Sequence, residues 1–194
     1  MPLLVLEGID GTGKSTQSKL LAAALRERGM RVTSSREPTD GPYGTRLRNS
    51  ATTGRLSPEE ELQLFLQDRC EHVENLINPA LEAGEVIILD RYYFSSMAYQ
   101  GVRGFDPAEI RRANEEFAPQ PDLLLLLDLP VDTALERIGI RDGEANKFEQ
   151  RASLETCSEV FHSIKDDFVR VIDASQSIED IHRDILSVVL EVIN

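Results

Sequence analysis

The sequence predicts an α/β protein: a three-layer α/β/α fold around a central five-stranded parallel sheet. Strand-like runs at residues 3–6, 31–35, 86–90, 123–128 and 169–173 alternate with helix-like stretches, the pattern of a parallel sheet covered by helices. The run Leu123-Leu124-Leu125-Leu126-Leu127 is apolar at every position, as a strand buried on both faces requires, and it is expected beside the first strand. A glycine-rich turn sits between the first strand and the first helix. With 194 residues and 41% hydrophobic content, the chain can build one core. No repeat, low-complexity tract or Pro/Gly/Ser-rich linker divides residues 1–194, so a single domain is expected.

The elements follow in order. Leu3-Leu4-Val5-Leu6 is a short buried-type strand, and Leu20, Leu21, Ala24 and Leu25 keep helical spacing over residues 19–28. The second strand ends in Arg36-Glu37-Pro38. Ser57-Pro58-Glu59-Glu60 opens a long helix, with a capping residue, a proline in the first turn and early acids, running to about residue 83 before Gly84. The third strand delivers Asp90-Arg91-Tyr92. Asp106-Pro107 starts another helix, the fourth strand ends at Asp128, a helix is expected over Val131–Ile138, and Ser177 begins a last one reaching Ile193.

The turn after the first strand reads Gly8-Ile9-Asp10-Gly11-Thr12-Gly13-Lys14-Ser15-Thr16. Glycine, four residues, glycine, lysine and a hydroxyl residue form a phosphate-cradling loop. Its glycines let backbone N–H groups turn inward, Lys14 reaches the outer phosphates of a nucleoside triphosphate, and the Ser15 hydroxyl can ligate the accompanying Mg²⁺. The helix that follows adds its N–H groups and positive dipole end.

Charge narrows the partners. Lys and Arg number 21 against 34 Asp and Glu, a formal net charge of −13, and such a surface repels nucleic acid polymers and anionic membranes. Cys70 and Cys157 lie far apart with no metal-ligand spacing, which suits a reduced thiol pair in the cytoplasm. The apolar start is too short for a secretory segment, and no run approaches membrane-spanning length.

Ligands of an open parallel sheet lie beyond the carboxyl ends of its strands. Here those ends carry the phosphate loop, Arg36-Glu37-Pro38, Asp90-Arg91-Tyr92 and Asp128. Phosphoryl transfer needs cations around a spreading negative charge and close alignment of the reactants; Arg36, Arg48, Arg69 and Arg91 can supply them. Phe65 and Arg69, four apart on one helix, share a face that can offer an aromatic plane and a donor at a ring edge. On the residues alone, Phe65 fits better into a core stripe with Leu62, Leu66 and Val73.

Over nearly its whole length the chain resembles the thymidylate kinases, P-loop kinases that phosphorylate dTMP to dTDP with ATP. The resemblance is carried by residues 8–16, by Arg36-Glu37-Pro38, by Phe65 with Arg69, by Asp90-Arg91-Tyr92 followed by Ser95, Ser96 and Ala98-Tyr99-Gln100-Gly101, and by Leu127-Asp128. It implies a P-loop kinase fold, Mg²⁺ with ATP as phosphoryl donor, a homodimer and a mobile lid. It further implies that Phe65 stacks on thymine while Arg69 bonds its O4. By the same resemblance, Ser96 and Gln100 are expected near the base and Tyr99 beside the sugar. Asp10 is expected to hold the acceptor's 3′-OH and help orient its phosphate, and Arg48 and Arg91 are expected to clamp that phosphate. Because the acceptor phosphate is already anionic, Asp10 and Glu37 are expected as positioning groups or indirect Mg²⁺ ligands rather than bases, and Lys14, Asp10 and Arg91 are expected to serve the transfer.

The phosphate loop has no cation besides Lys14, so the resemblance is to members with a basic lid, placed here at about residues 137–151 with Arg137, Arg141, Lys147 and Arg151. Arg141, flanked by Gly139 and Gly143, ranks first as the catalytic lid cation. One departure stands out: the family's two glycines and threonine after Arg-Glu-Pro are replaced by Thr39-Asp40-Gly41-Pro42-Tyr43-Gly44-Thr45. Two alternatives compete. A kinase for another nucleoside monophosphate, or for a nucleoside, would keep the loop and Arg91 but make Phe65 and Arg69 incidental. A GTP-dependent switch would read guanine through Asn146-Lys147-Phe148-Glu149, but Glu stands where that motif has Asp.

Overall fold

The computed structural model describes residues 1–54, 56–139 and 144–193, with backbone alone for 51–53 and 144–149. Five parallel strands, β1 (Leu3–Glu7), β2 (Val32–Arg36), β3 (Val86–Asp90), β4 (Leu123–Asp128) and β5 (Val169–Asp173), lie in the order β2-β3-β1-β4-β5. The all-leucine strand β4 pairs with β1, with Leu6 opposite Leu125. All five residues of β1 and of β3 are buried, as are residues 123–127 of β4. Strands with no polar face must be covered on both sides. The outer strands β2 and β5 mix buried or half-buried with exposed positions.

The helices are α1 (Lys14–Glu27), α2 (Pro42–Thr53), α3 (Pro58–His72), α4 (Asn78–Glu82), α5 (Tyr93–Val102), α6 (Pro107–Glu115), α7 (Val131–Ile138), α8 (Glu144–Ser163) and α9 (Ile178–Ile193). Helices α1 and α9 pack on each other and on the sheet, while α5 packs against α3, α6 and α8. The expected caps are in place. Ser57 and Glu60 form a reciprocal capping box on α3, Asp106 Oδ1 accepts from Ala108 N at 2.8 Å, and Ser177 Oγ accepts from Asp180 N at 3.1 Å.

The stretch read as one helix to residue 83 is three consecutive pieces. Between α3 and α4, residues Val73–Ile77 form a π-helical turn, and the Asn78 N–H donates to Val73 O, five residues back. Pro79 lacks an N–H and its ring crowds the carbonyl four residues earlier, so the helix widens there rather than continuing regularly. Besides α8, which begins within the residues read as a lid, two helices escaped the sequence reading. α2 begins at Pro42 behind Gly41 with no side-chain cap, and α5 begins at Tyr93 with no side-chain cap from Tyr92, so neither carries a local start signal.

The connections leave β1 and β3 in opposite directions, toward β2 and toward β4. Such a switch point opens a crevice beyond the carboxyl ends of the two strands. Asp10 follows β1 and Arg91 follows β3, so both stand at its mouth.

Candidate active site

The loop after β1 is shaped by two close approaches. A Cβ on Gly8 (φ 137°) would sit 2.4 Å from the Leu127 carbonyl oxygen, and one on Gly11 (φ 87°) 2.8 Å from that of Ala134. Only glycine fits either place without moving backbone, and both also have left-handed dihedrals. Thr12 Oγ1 donates to Ile9 O at 3.0 Å, and the Ile9 side chain is buried in the core. The loop therefore rests on β4 and α7 as a preformed turn. Lys14, 5% exposed, donates through Nζ to Gly8 O at 2.8 Å and Ile9 O at 2.7 Å. Burial, reinforced by the charge of Arg91, pushes its pKa down to about 8, while Asp10, Glu7 and Asp90 act in the opposite sense. The N-terminus of α1 carries no side-chain cap, leaving backbone donors for an anion.

Gly11, Gly13, Lys14, Ser15 and Thr16 line a polar cavity of ≈ 160 Å³ together with Asp10, Asp90 and Arg91. Ser15 Oγ is hydrogen-bonded to Asp90 Oδ2 within it. Hydroxyl and carboxylate are the hard oxygen donors that Mg²⁺ prefers, so this pair fits the ion.

Arg91 opens the turn after β3 with φ 74°, a left-handed conformation unusual outside glycine. The turn is held from β1. Arg91 N donates to Leu6 O at 3.0 Å; Glu7 Oε1 accepts from Tyr92 N at 2.8 Å and Ser95 N at 2.9 Å; Glu7 Oε2 accepts from Ser95 Oγ at 2.6 Å. Glu7 is fully buried. Desolvation raises its pKa, opposed by Arg91 and by these donors. Because the Ser95 hydroxyl proton is given to Glu7, its lone pair is turned to accept from Arg91 Nη1 at 3.0 Å. Arg91 Nη2 donates to Asp10 Oδ1 at 2.5 Å, and its guanidinium lies 5.2 Å from the centre of the Tyr99 ring. Tyr99 donates to Asp10 Oδ2 at 3.2 Å, and burial pushes its phenol pKa up, so it remains a donor near neutral pH.

A second cavity, ≈ 240 Å³, adjoins the first and shares Asp10 and Arg91 with it. Glu37, Glu61, Phe65, Arg69, Ser96, Tyr99 and Gln100 are among the residues that wall it. Arg69 is 1% exposed and its fork is almost fully engaged. Nε and Nη2 each reach Glu37 Oε2 at 2.7 Å, Nη1 reaches Asn114 Oδ1 at 2.6 Å, and Nη2 reaches Ser96 Oγ at 3.1 Å. Guanidinium has five N–H donors, and these contacts leave one on Nη1. Glu37 is steadied in turn by His72 Nδ1 at 3.0 Å, whose Nε2 meets Ser35 Oγ at 2.8 Å. Gln100 Nε2 donates to Glu61 Oε1 at 3.1 Å, whereas Gln100 Oε1, buried, accepts no hydrogen bond among the described residues.

Eight of the nine acceptor-side residues expected from sequence therefore converge: Asp10, Glu37, Phe65, Arg69, Arg91, Ser96, Tyr99 and Gln100 line the same cavity. Phe65 is half-buried on its wall and outside the core cluster that takes in Leu62 and Val73. The ninth, Arg48, is not on that wall; it donates to Pro38 O at 2.8 Å and Thr39 O at 2.6 Å and pairs with Asp40 at 2.9 Å. Arg36 is likewise paired with Asp40, at 2.9 Å, and largely exposed. Arg141 lies outside the described residues. Of the other basic residues read into a lid, Arg137 donates to Ala174 O at 2.9 Å and Arg151 pairs with Asp132 and Glu155. Glu7, Glu61, His72 and Asn114 were not singled out from sequence. An acid ending a buried strand was a signal for Glu7. Glu61 reads as an ordinary acid of a helix's first turn, and nothing local marks His72 or Asn114.

The fold and the two adjoining cavities define a P-loop nucleotide kinase. The family model described as "Thymidylate kinase" matches residues 6–185. The chain is 55% identical to the thymidylate kinase of Akkermansia muciniphila over 179 residues, covering 92% of this chain and 86% of the relative. It is 50% identical to that of Desulfotalea psychrophila over 186 residues (95% and 92%) and to that of Xanthomonas campestris pv. campestris over 188 residues (97% and 82%). The chain belongs to the thymidylate kinase family.

Proposed function

We infer that the protein transfers the γ-phosphoryl group of ATP to dTMP, giving dTDP. The observation that carries the choice of acceptor is the pairing of one spare Arg69 N–H with the unpaired Gln100 carbonyl on the wall of one cavity. A donor and an acceptor on one cavity wall match the C4 carbonyl and N3–H of thymine. Cytosine presents the reverse pattern and would leave both protein groups unsatisfied. Phe65 supplies the apolar plane against which the ring lies, and Tyr99 stands beside the sugar.

The acceptor phosphate then reaches Arg91 and Asp10, where the two cavities meet. ATP lies with its phosphates on the α1 N-terminus and Lys14. Ser15 and Asp90 are the residues that would hold Mg²⁺, which neutralises charge on the phosphate oxygens when bound. Lys14, in the first cavity, and Arg91, at the junction of the two, are the cations on the in-line path. The acceptor oxygen is already anionic near neutral pH, so neither a protein nucleophile nor a strong base is needed, and Asp10 acts by positioning. Arg48, one loop away, joins the clamp by exchanging its contacts with residues 38–40 for the acceptor phosphate, and Arg141 is the further cation on the ATP side.

The resemblance to the family supports a homodimer working in the cytoplasm. Cys70 and Cys157 are free, and among the described residues no helix is long and apolar enough to cross a membrane. ADP release with Mg²⁺-ATP across dTMP, dUMP, dCMP, UMP, AMP and thymidine tests the assignment. Preference for dTMP supports it; preference for thymidine would make the enzyme a nucleoside kinase.

A further inference from the structure

Gln100 can read a base only if its amide faces one way, because turning it over exchanges an acceptor for a donor at nearly the same point in space. Nothing in the Gln100 side chain itself fixes that choice. The neighbouring groups do. Gln100 Nε2 lies 3.1 Å from Glu61 Oε1, and a carboxylate can only accept, so the NH₂ end must face it. Glu61 is held by its other oxygen, Oε2, which pairs with Arg103 Nη1, and Arg103 Nη2 donates to Leu56 O at 3.1 Å. Both Glu61 and Arg103 are mostly buried, at 16% and 14% side-chain exposure, so water competes little for these contacts.

We propose that Glu61, anchored by Arg103, is a specificity-determining residue: it locks the Gln100 amide so that its carbonyl, not its NH₂, meets the base. The proposal rests on the reading of Gln100 as a base contact and deepens it. Arg69 cannot be turned over, since guanidinium carries donors alone, so discrimination at the second edge atom depends on Glu61.

Replacing Glu61 with glutamine makes the argument sharp. The new side chain has one accepting and one donating end. Its donating end cannot face the cationic Arg103, so it faces Gln100. Gln100 then turns its carbonyl toward residue 61 and its NH₂ toward the base, where it opposes the N3–H of thymine and suits the bare N3 of cytosine. One side chain, acting through its neighbour Gln100, thereby inverts a recognition element.

The experiment measures kcat/KM for dTMP and dCMP in the wild type, Glu61→Gln, Glu61→Ala and Gln100→Ala, with KM for ATP and the melting temperature recorded for each. Glu61→Gln is expected to lower the dTMP:dCMP ratio tenfold or more, roughly the value of one mismatched buried hydrogen bond, with KM for ATP unchanged within about twofold. Glu61→Ala frees the amide to take either orientation and should lower the ratio less. An unchanged ratio in Glu61→Gln, alongside a lowered ratio in Gln100→Ala, overturns the role of Glu61. An unchanged ratio in Gln100→Ala overturns instead the reading of Gln100 on which it rests. A fall in melting temperature with the ratio preserved would make Glu61 a structural residue only and also overturns the proposal.

Discussion

Arg91 Nη2 donates to Asp10 Oδ1 across 2.5 Å, and these two residues line both cavities. The pair joins the loop after β1 to the turn after β3 at the place where the connections of the sheet diverge. Two anionic nucleotides entering from opposite sides would meet there.

Ser95 aligns Arg91, so its removal should matter only while Arg91 is present. Ser95→Ala is expected to lower kcat/KM for dTMP about tenfold, the worth of a hydrogen bond to a charged group. In an Arg91→Ala background the same change should cost little more, because its effect runs through the guanidinium. Steady-state kinetics of the two single variants and the double variant check this; additive losses would contradict it.

Lys14 gives a pH signature. Burial favours its neutral form and brings its pKa to about 8, so the charged amine is present below that pH and lost above it. kcat/KM for ATP should fall by about tenfold per pH unit above 8, because this parameter reports the free enzyme. The break in kcat should lie at higher pH, since bound triphosphate favours the charged amine. A profile of kcat/KM that stays flat to pH 10 would contradict the assignment.

Arg69 and Glu37 form a buried ion pair, with side-chain exposures of 2% and 3%. Removing one partner strands the other, which costs about 3–5 kcal/mol. Arg69→Ala should therefore lower stability in urea titrations and raise KM for dTMP far more than KM for ATP. Equal effects on both substrates would contradict a role in reading the base.

Asn114 is wholly buried and accepts from Arg69 Nη1 at 2.6 Å while donating to Ile110 O at 2.7 Å. Asn114→Ala should cost about 1–3 kcal/mol of stability and weaken dTMP binding by loosening the Arg69 fork. Differential scanning calorimetry and dTMP titration test the two effects separately.

Much of this was legible in the sequence because the strands announce themselves. β1, β3 and β4 are apolar up to their last residues, and those last residues, Glu7, Asp90 and Asp128, sit at the edge where ligands bind. The phosphate loop is local in sequence, so its spacing is also its geometry. Less was legible where structure depends on packing. Tyr93–Val102 carries no cap or clear periodicity, yet it forms α5, held at its start by Glu7 from 85 or more positions away. The π-turn at Val73–Ile77 follows from Pro79, a signal overlooked within a strongly helical stretch. Asn114 and His72 act on the site only through Arg69 and Glu37, contacts spanning 45 and 35 residues that no periodicity encodes.

The most direct test of the account is calorimetric titration of dTMP and thymidine into the wild type and Arg91→Ala. The wild type should bind dTMP at least tenfold more tightly than thymidine, and Arg91→Ala should lose most of that margin while binding thymidine as before. A margin that survives in Arg91→Ala would place the acceptor phosphate elsewhere and contradict the head-on arrangement of the two nucleotides.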